Sequence, residues 1–268
     1  MRNIFLGIAL MASQLLGSGI ANAELSISPR RIVLDHVDRA ATVTLMNNGA
    51  GSETYRIFWV YRRMTESLGI EAAANADEVG VDDAAEIIRY APRRVTLLPG
   101  ESQTVRLLVR RPTNLSEGEY RAHLMFKREP ELNTSHTTGV SELSLNVHVA
   151  YGITIPIIVR HGNAAPASAV LQSALDDTGD ALVISLRREG AHSLYGHLRA
   201  HHVVGGEETL IASVPNFAVY SEVENVTRHL PLVWPEGAQR HQGAIRLELI
   251  DAEAGSERLI ARDTLQLR

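Results

Sequence analysis

The stretch LSLNVHVAYGITIPIIV, residues 143–159, decides the fold. Leu143, Leu145, Val147, Val149, Tyr151, Ile153, Ile155, Ile157 and Val159 are apolar at every second position, with mostly small or polar residues between them. An extended chain therefore carries one greasy face here, whereas a helix would scatter the same side chains around its axis. The run is far longer than an ordinary strand of about five or six residues. Pro156 brings no N–H to a ladder, which places that part of the strand on a sheet edge. A long apolar edge aggregates unless pairing with another chain is its purpose.

Outward from that run the chain keeps the same texture. Short alternating or β-branched runs cover residues 25–34, bent at Ser28-Pro29, then 41–46, 54–61, 95–98, 102–109 and 120–126. They are separated by turn signals such as Asn47-Asn48-Gly49 and Pro99-Gly100, at the spacing of a sandwich. The acidic, Ala-rich stretch 71–86 reads as an insertion, either a solvated loop or a short helix, and 129–141 as a polar loop. A small Gly- and Pro-containing segment, 161–167, reads as a hinge. Beyond it come runs at 169–175, 181–186, 194–204, 209–214, 226–232, 244–250 and 259–267. No amphipathic helix or coiled coil competes, so the expected fold is all-β, two β-sandwiches in tandem.

The first 23 residues set the expected compartment. Arg2 precedes an apolar run through Leu16, and Ala21-Asn22-Ala23 is a small-x-small cleavage site, the layout of a secretory signal peptide. The competing reading, a membrane anchor, is disfavoured because the run is short and interrupted by Ser13, Gln14 and Gly17. Cleavage removes one positive charge, taking the net charge from -5 to -6. Mild acidity argues against nucleic acid as a partner. The chain has no cysteine, so neither disulfides nor thiolate metal sites support it, and stability rests on packed cores.

Four motifs, in order, resemble the periplasmic pilus-assembly chaperones of the PapD type. They are Ile27-Ser28-Pro29-Arg30-Arg31-Ile32-Val33-Leu34, Leu98-Pro99-Gly100-Glu101 followed by Thr104-Val105-Arg106-Leu107, Gly118-Glu119-Tyr120-Arg121, and Tyr151-Gly152-Ile153 through Arg160. The resemblance covers the amino-terminal half well and the carboxy-terminal half loosely. It implies two tandem immunoglobulin-like domains, 24–160 and 168–268, behind a signal peptide at 1–23 and joined at 161–167. It also implies a function: a non-enzymatic chaperone of the periplasm that caps secreted pilin-like subunits by lending them a strand and delivers them to an outer-membrane usher. No cofactor, nucleic acid or membrane insertion is expected.

The resemblance assigns roles residue by residue. Leu143, Leu145, Val147 and Val149 would be the donor side chains filling a subunit's open groove, with Tyr151 at the margin. Arg31 aligns with an arginine that anchors the subunit's terminal carboxylate, a task suited to a guanidinium fork. The family's second anchor is a lysine four residues before the arginine that aligns with Arg160. Here that place is Pro156, which departs from the pattern and leaves Arg93, Arg94 and Lys127 as substitute charges. Glu119, Arg160 and Asp251 would form an interdomain ion network.

Catalytic motifs are absent from the sequence: there is no Gly-x-Ser-x-Gly, phosphate loop or His-Glu-x-x-His. Among eleven histidines, His192, His197, His201 and His202 lie close in sequence, so a metal-binding sandwich is one alternative. On an extended strand His197 and His201 share a face while His202 points away, so no metal is expected. The other alternative is an interaction protein of the same fold with a partner unrelated to pili.

Overall fold

Alternation becomes strand nearly everywhere. The structure, a computed structural model, describes residues 25–130, 151–253 and 257–267, and no α-helix occurs among them. The first set of strands is β1 (Leu25–Ser28), β2 (Ile32–Leu34), β3 (Ala40–Asn47), β4 (Glu53–Val60), β5 (Arg62–Met64), β6 (Ile70–Ala72), β7 (Asp82–Asp83), β8 (Ile88–Ala91), β9 (Arg94–Leu97), β10 (Ser102–Val109), β11 (Gly118–Arg128) and β12 (Gly152–His161). The second is β13 (Ser168–Leu175), β14 (Ala181–Glu189), β15 (Leu194–Val204), β16 (Glu207–Val219), β17 (Asn225–Pro231), β18 (Ala244–Asp251) and β19 (Leu259–Gln266). The expected signal peptide and the donor residues Leu143, Leu145, Val147 and Val149 lie outside the described residues.

Two immunoglobulin-like β-sandwiches result. The first faces a sheet ordered β1-β3-β10-β8 against one ordered β2-β12-β11-β4-β9, with β7 added beside β11. The second faces β13-β14-β17 against β16-β15-β18-β19. Each encloses its own apolar core, with Leu45, Tyr55, Leu124 and Ile157 central in one and Leu182, Leu198, Phe217 and Leu247 in the other. Ser28-Pro29 does more than bend a strand. β1 runs antiparallel to β3 in one sheet, and after the proline β2 runs parallel to β12 in the other. The residues between them, Arg30 and Arg31 included, therefore cross the sandwich rim.

The insertion takes the loop form of its two expected alternatives. No helix forms between 71 and 86; turns and the short strands β6 and β7 fill the stretch. Ahead of it, β5 and β6 make a two-stranded hairpin, which local periodicity did not reveal because each strand has three residues. Its Met64 packs into the core of the second sandwich. Met64 donates its backbone N–H to Glu222 Oε1 at 2.8 Å and accepts the Tyr220 N–H on sulfur at 3.3 Å.

β11 explains how the two sandwiches meet. Tyr120, Ala122, Leu124 and Phe126 point into the first core, as period two demands, yet Glu119, Arg121 and His123 on the opposite face are buried as well. That face is covered by the second sandwich rather than by water. The covering loops, near 190–193 and 221–223, are held by one buried side chain. Arg188 donates to the carbonyls of Val223 at 3.0 Å, Gly190 at 2.6 Å, His192 at 3.1 Å and Ser221 at 2.7 Å. Replacing it with methionine removes every one of these donors and leaves carbonyls without partners, each costing about 1–3 kcal/mol. Arg188→Met should lower unfolding stability by several kcal/mol in urea titration, and Arg188→Lys, which cannot reproduce the fork, should recover little of it.

Candidate functional site

Between the sandwiches lies a cavity of about 850 Å³, walled by Arg31, Val33 and Pro156 from the first and by Tyr195, Tyr220 and Glu253 from the second. Arg31 reaches it because the rim crossing between β1 and β2 sets it beside the second sandwich. Its Nη2 donates to Glu253 Oε1 at 3.0 Å, and its guanidinium lies 4.5 Å from the centroid of the Tyr195 ring. Its Nε is buried with no acceptor among the described residues. The residue expected to anchor a ligand carboxylate thus already holds a carboxylate of its own chain. Pro156 faces the same cavity, whereas Arg93, Arg94 and Lys127 do not; Arg94 instead pairs with Glu129 at 2.7 Å.

Arg160, near the end of β12, joins the sandwiches. Its Nε donates to Glu119 Oε2 at 3.2 Å, and Nη1 and Nη2 donate to Glu253 Oε2 and Oε1 at 2.6 and 3.0 Å. Glu119, wholly buried, also accepts from the Ser193 N–H at 3.0 Å and from the Ser193 hydroxyl. Asp251 does not join: its carboxylate takes Arg258 at 3.3 Å and the Glu253 N–H at 3.0 Å. β18 ends at Asp251, and it is the turn beyond it that reaches the interface, so Glu253 supplies the second sandwich's acid. Burial works against both ionised groups, yet the bonds and field between them hold the Arg160 pKa above and the Glu253 pKa below the ordinary values.

A second ion pair escaped sequence reasoning. Arg121 Nη1 and Nη2 donate to Glu222 Oε2 and Oε1 at 2.7 and 2.6 Å, a two-point fork between side chains 1% and 9% exposed. The guanidinium also lies 4.0 Å from the Tyr220 ring centroid. Beside it, His123 meets the Tyr220 ring edge-on at 6.0 Å between centroids. Burial first, and then the positive fields of Arg121, Arg62 and Arg31, push the His123 pKa down to about 3. An arginine alternating with core residues reads as solvent-facing in sequence; only its place in the Gly118–Arg121 motif drew notice.

The edge read from Pro156 is open on one side. β11 pairs with β12 from Gly152 to His161, but β2 pairs only with Ile157, Ile158 and Val159. Among the described residues, no strand flanks Gly152–Pro156 on the side away from β11. Ile155, Ile157 and Val159 fill the first core, and Tyr151, half-buried, accepts the Arg128 N–H at 3.1 Å. The free edge runs straight into the cavity that Pro156 lines.

The histidines do not converge. His197 Nδ1 accepts the Asn216 N–H at 3.3 Å, His202 bonds the Gln242 carbonyl at 2.9 Å, and His192 sits apart near Arg160. No group of three or more metal-ligating side chains is found among the described residues. No described helix is long and apolar enough to cross a membrane.

No family model matches the chain. No curated protein matches it. Among solved structures it is similar to the CsuC–CsuE chaperone–tip adhesion subunit pre-assembly complex from the archaic chaperone-usher Csu pili of Acinetobacter baumannii, at 14% identity and TM-score 0.47, covering 89% of this chain and 97% of that one. It is also similar to the E. coli chaperone DraB, at 14% and 0.46 over 91% and 96%, and to the Pseudomonas aeruginosa CupB2 chaperone, at 10% and 0.44 over 91% and 100%. Likeness at this level transfers neither function nor site residues.

Breaking one member of the Arg121–Glu222 pair strands a buried charge, at about 3–5 kcal/mol. Arg121→Met should therefore destabilise strongly, and Arg121→Met with Glu222→Gln should restore part of the loss, a positive coupling that a double-mutant cycle measures. The protein should also be acid-labile. A histidine with a folded pKa near 3 binds fewer protons than its unfolded form, so its contribution is complete above about 6.5 and falls as pH drops towards 3. Denaturant midpoints should decline across that window, and His123→Gln should flatten the decline. Glu253, with its pKa depressed, adds a further loss once pH falls below the usual carboxylate range.

Proposed function

We propose that the protein is a periplasmic chaperone without turnover that binds secreted, pilin-like subunits and presents them for surface assembly at an outer-membrane usher. The observation that carries this reading is the continuity of a free strand edge with a cleft. On the side away from β11, Gly152–Pro156 offers an edge that no described strand pairs, Pro156 ends that edge in the interdomain cavity, and the alternating residues 143–151 precede it directly in sequence. A subunit strand laid along this edge gains main-chain hydrogen bonds, while Leu143, Leu145, Val147, Val149 and Tyr151 supply the side chains for its open groove. The end of such a strand arrives at Arg31. Glu119, Arg160 and Glu253, with Arg121 and Glu222, hold the two sandwiches so that edge and cleft stay in register.

A second reading has its own support. Pro156 brings no cation to the cleft and Glu253 already pairs with Arg31, which fits an interaction protein of this fold whose partner has no terminal carboxylate to bind. Periplasmic co-purification with mass spectrometry separates the two, since the first expects small secreted β-rich subunits. Their absence, with unrelated envelope proteins in their place, would establish the second.

Leu145→Glu with Val147→Glu should abolish subunit capture while the melting temperature stays put, because a partner's groove is their apolar environment. A stability loss of about 2–5 kcal/mol, the cost of core truncation, would mean that these side chains pack at home and the donor register is wrong.

A further inference from the structure

We infer that Glu253 is the cleft's own carboxylate, a built-in competitor that a partner's terminal carboxylate displaces from Arg31 in order to bind. The inference deepens the proposed function and rests on its reading of Arg31 as the anchor.

Glu253 makes two unequal attachments. With Arg160 it forms a two-point pair, Oε2 to Nη1 at 2.6 Å and Oε1 to Nη2 at 3.0 Å. With Arg31 it shares one bond only, Oε1 to Nη2 at 3.0 Å. Losing the Arg31 bond leaves the Arg160 pair whole, so the interdomain tie survives the exchange. Arg31 meanwhile is incompletely satisfied, since its buried Nε–H has no acceptor among the described residues. A carboxylate bound side-on to a guanidinium takes Nε and Nη2 together. It would replace a one-point contact with a two-point one and satisfy the orphan donor.

The charge around the cavity makes this competition matter. Its wall carries two arginines, Arg30 and Arg31, against three carboxylates, Asp35, Asp38 and Glu253. With proline at position 156, β12 adds no cation of its own to that wall, and the carboxylates outnumber the arginines. A ligand therefore gains only if its carboxylate geometry outdoes that of Glu253. The cleft becomes selective for a chain end whose carboxylate is placed by a strand already docked on Gly152–Pro156, and it excludes free anions. Tyr195, stacked on Arg31, fixes the plane of the guanidinium through the exchange.

The test uses the full mature protein and two synthetic probes: an apolar alternating decapeptide with a free carboxy terminus and its amidated twin, titrated by calorimetry. Wild type should prefer the acid modestly. Glu253→Gln keeps the length of the side chain but removes the competing charge, and should raise the acid-to-amide affinity ratio about tenfold. Glu119→Gln loosens the Arg160 network without touching Arg31 and should leave the ratio where it is. Melting curves of both variants establish that they fold; should Glu253→Gln not fold, Glu253→Ser is titrated in its place. An acid preference in wild type that Glu253→Gln does not increase would overturn the competition and leave Arg31 as the anchor. Equal binding of acid and amide in every protein, or no binding of either, would overturn the anchor and the competition together. A ratio raised equally by Glu119→Gln would trace the effect to loosened domains and refute the role of Glu253.

Discussion

The burial of both faces of β11 is the constraint on which the molecule depends. A strand with period two normally shows water one of its faces, and the polar residues on that face need no partners. Here Glu119, Arg121 and His123 occupy the face that would be wet, and the second sandwich covers it. Each polar group must then find its counterpart across the interface. Across the interface Glu119 finds Ser193 and Arg121 finds Glu222, while Arg160, beside Glu119 on the neighbouring strand, reaches Glu253. Buried ion pairs of this kind contribute little net stability, because desolvation cancels much of the attraction. They penalise every other relative placement of the two domains, which would strand a charge, and so they act on orientation.

Orientation is what the site requires. The cavity has no wall of its own in either sandwich: Arg31 and Pro156 come from one, Tyr195, Tyr220 and Glu253 from the other. A small rotation between domains would part Arg31 from Tyr195 and Glu253 together. The β5–β6 hairpin adds a mechanical tie, with Met64 seated in the second core and its backbone bonded to the same Glu222 that pairs with Arg121. Arg188 organises the facing loops from behind. Interdomain geometry is thus fixed by three features that converge on the loop at 221–223.

Much of the fold was legible because strands announce themselves locally. Val43 and Leu45 in β3, or Val105 and Leu107 in β10, alternate with mostly polar, exposed neighbours and are themselves buried. Pro156 marked an edge, since a residue without an N–H cannot sit between two ladders, and pairing with β2 indeed begins only at Ile157. Arg160 and Glu119, expected to meet, do so at 3.2 Å. Asp251 failed by two residues, because register at the end of a strand depends on the turn that follows, and one sequence carries no signal for it. The hairpin at residues 62–72 was invisible for the opposite reason: strands of three residues have no measurable period.

By itself the amino-acid sequence determined the strand pattern, the turn chemistry and the position of the long edge, all of which follow from side-chain alternation and from the backbone limits of proline and glycine. Only the tertiary structure decided which polar residues were interface and which were surface. Arg121, buried in a fork with Glu222, and Arg246, paired with Glu208 near the surface, look alike in sequence, each one polar position in an alternating strand. The difference is whether another domain lies over the outer face, and that is a property of chain segments about a hundred residues apart. The same holds for Arg31, whose partner Glu253 is set by how two sandwiches close upon each other and by nothing in its own neighbourhood.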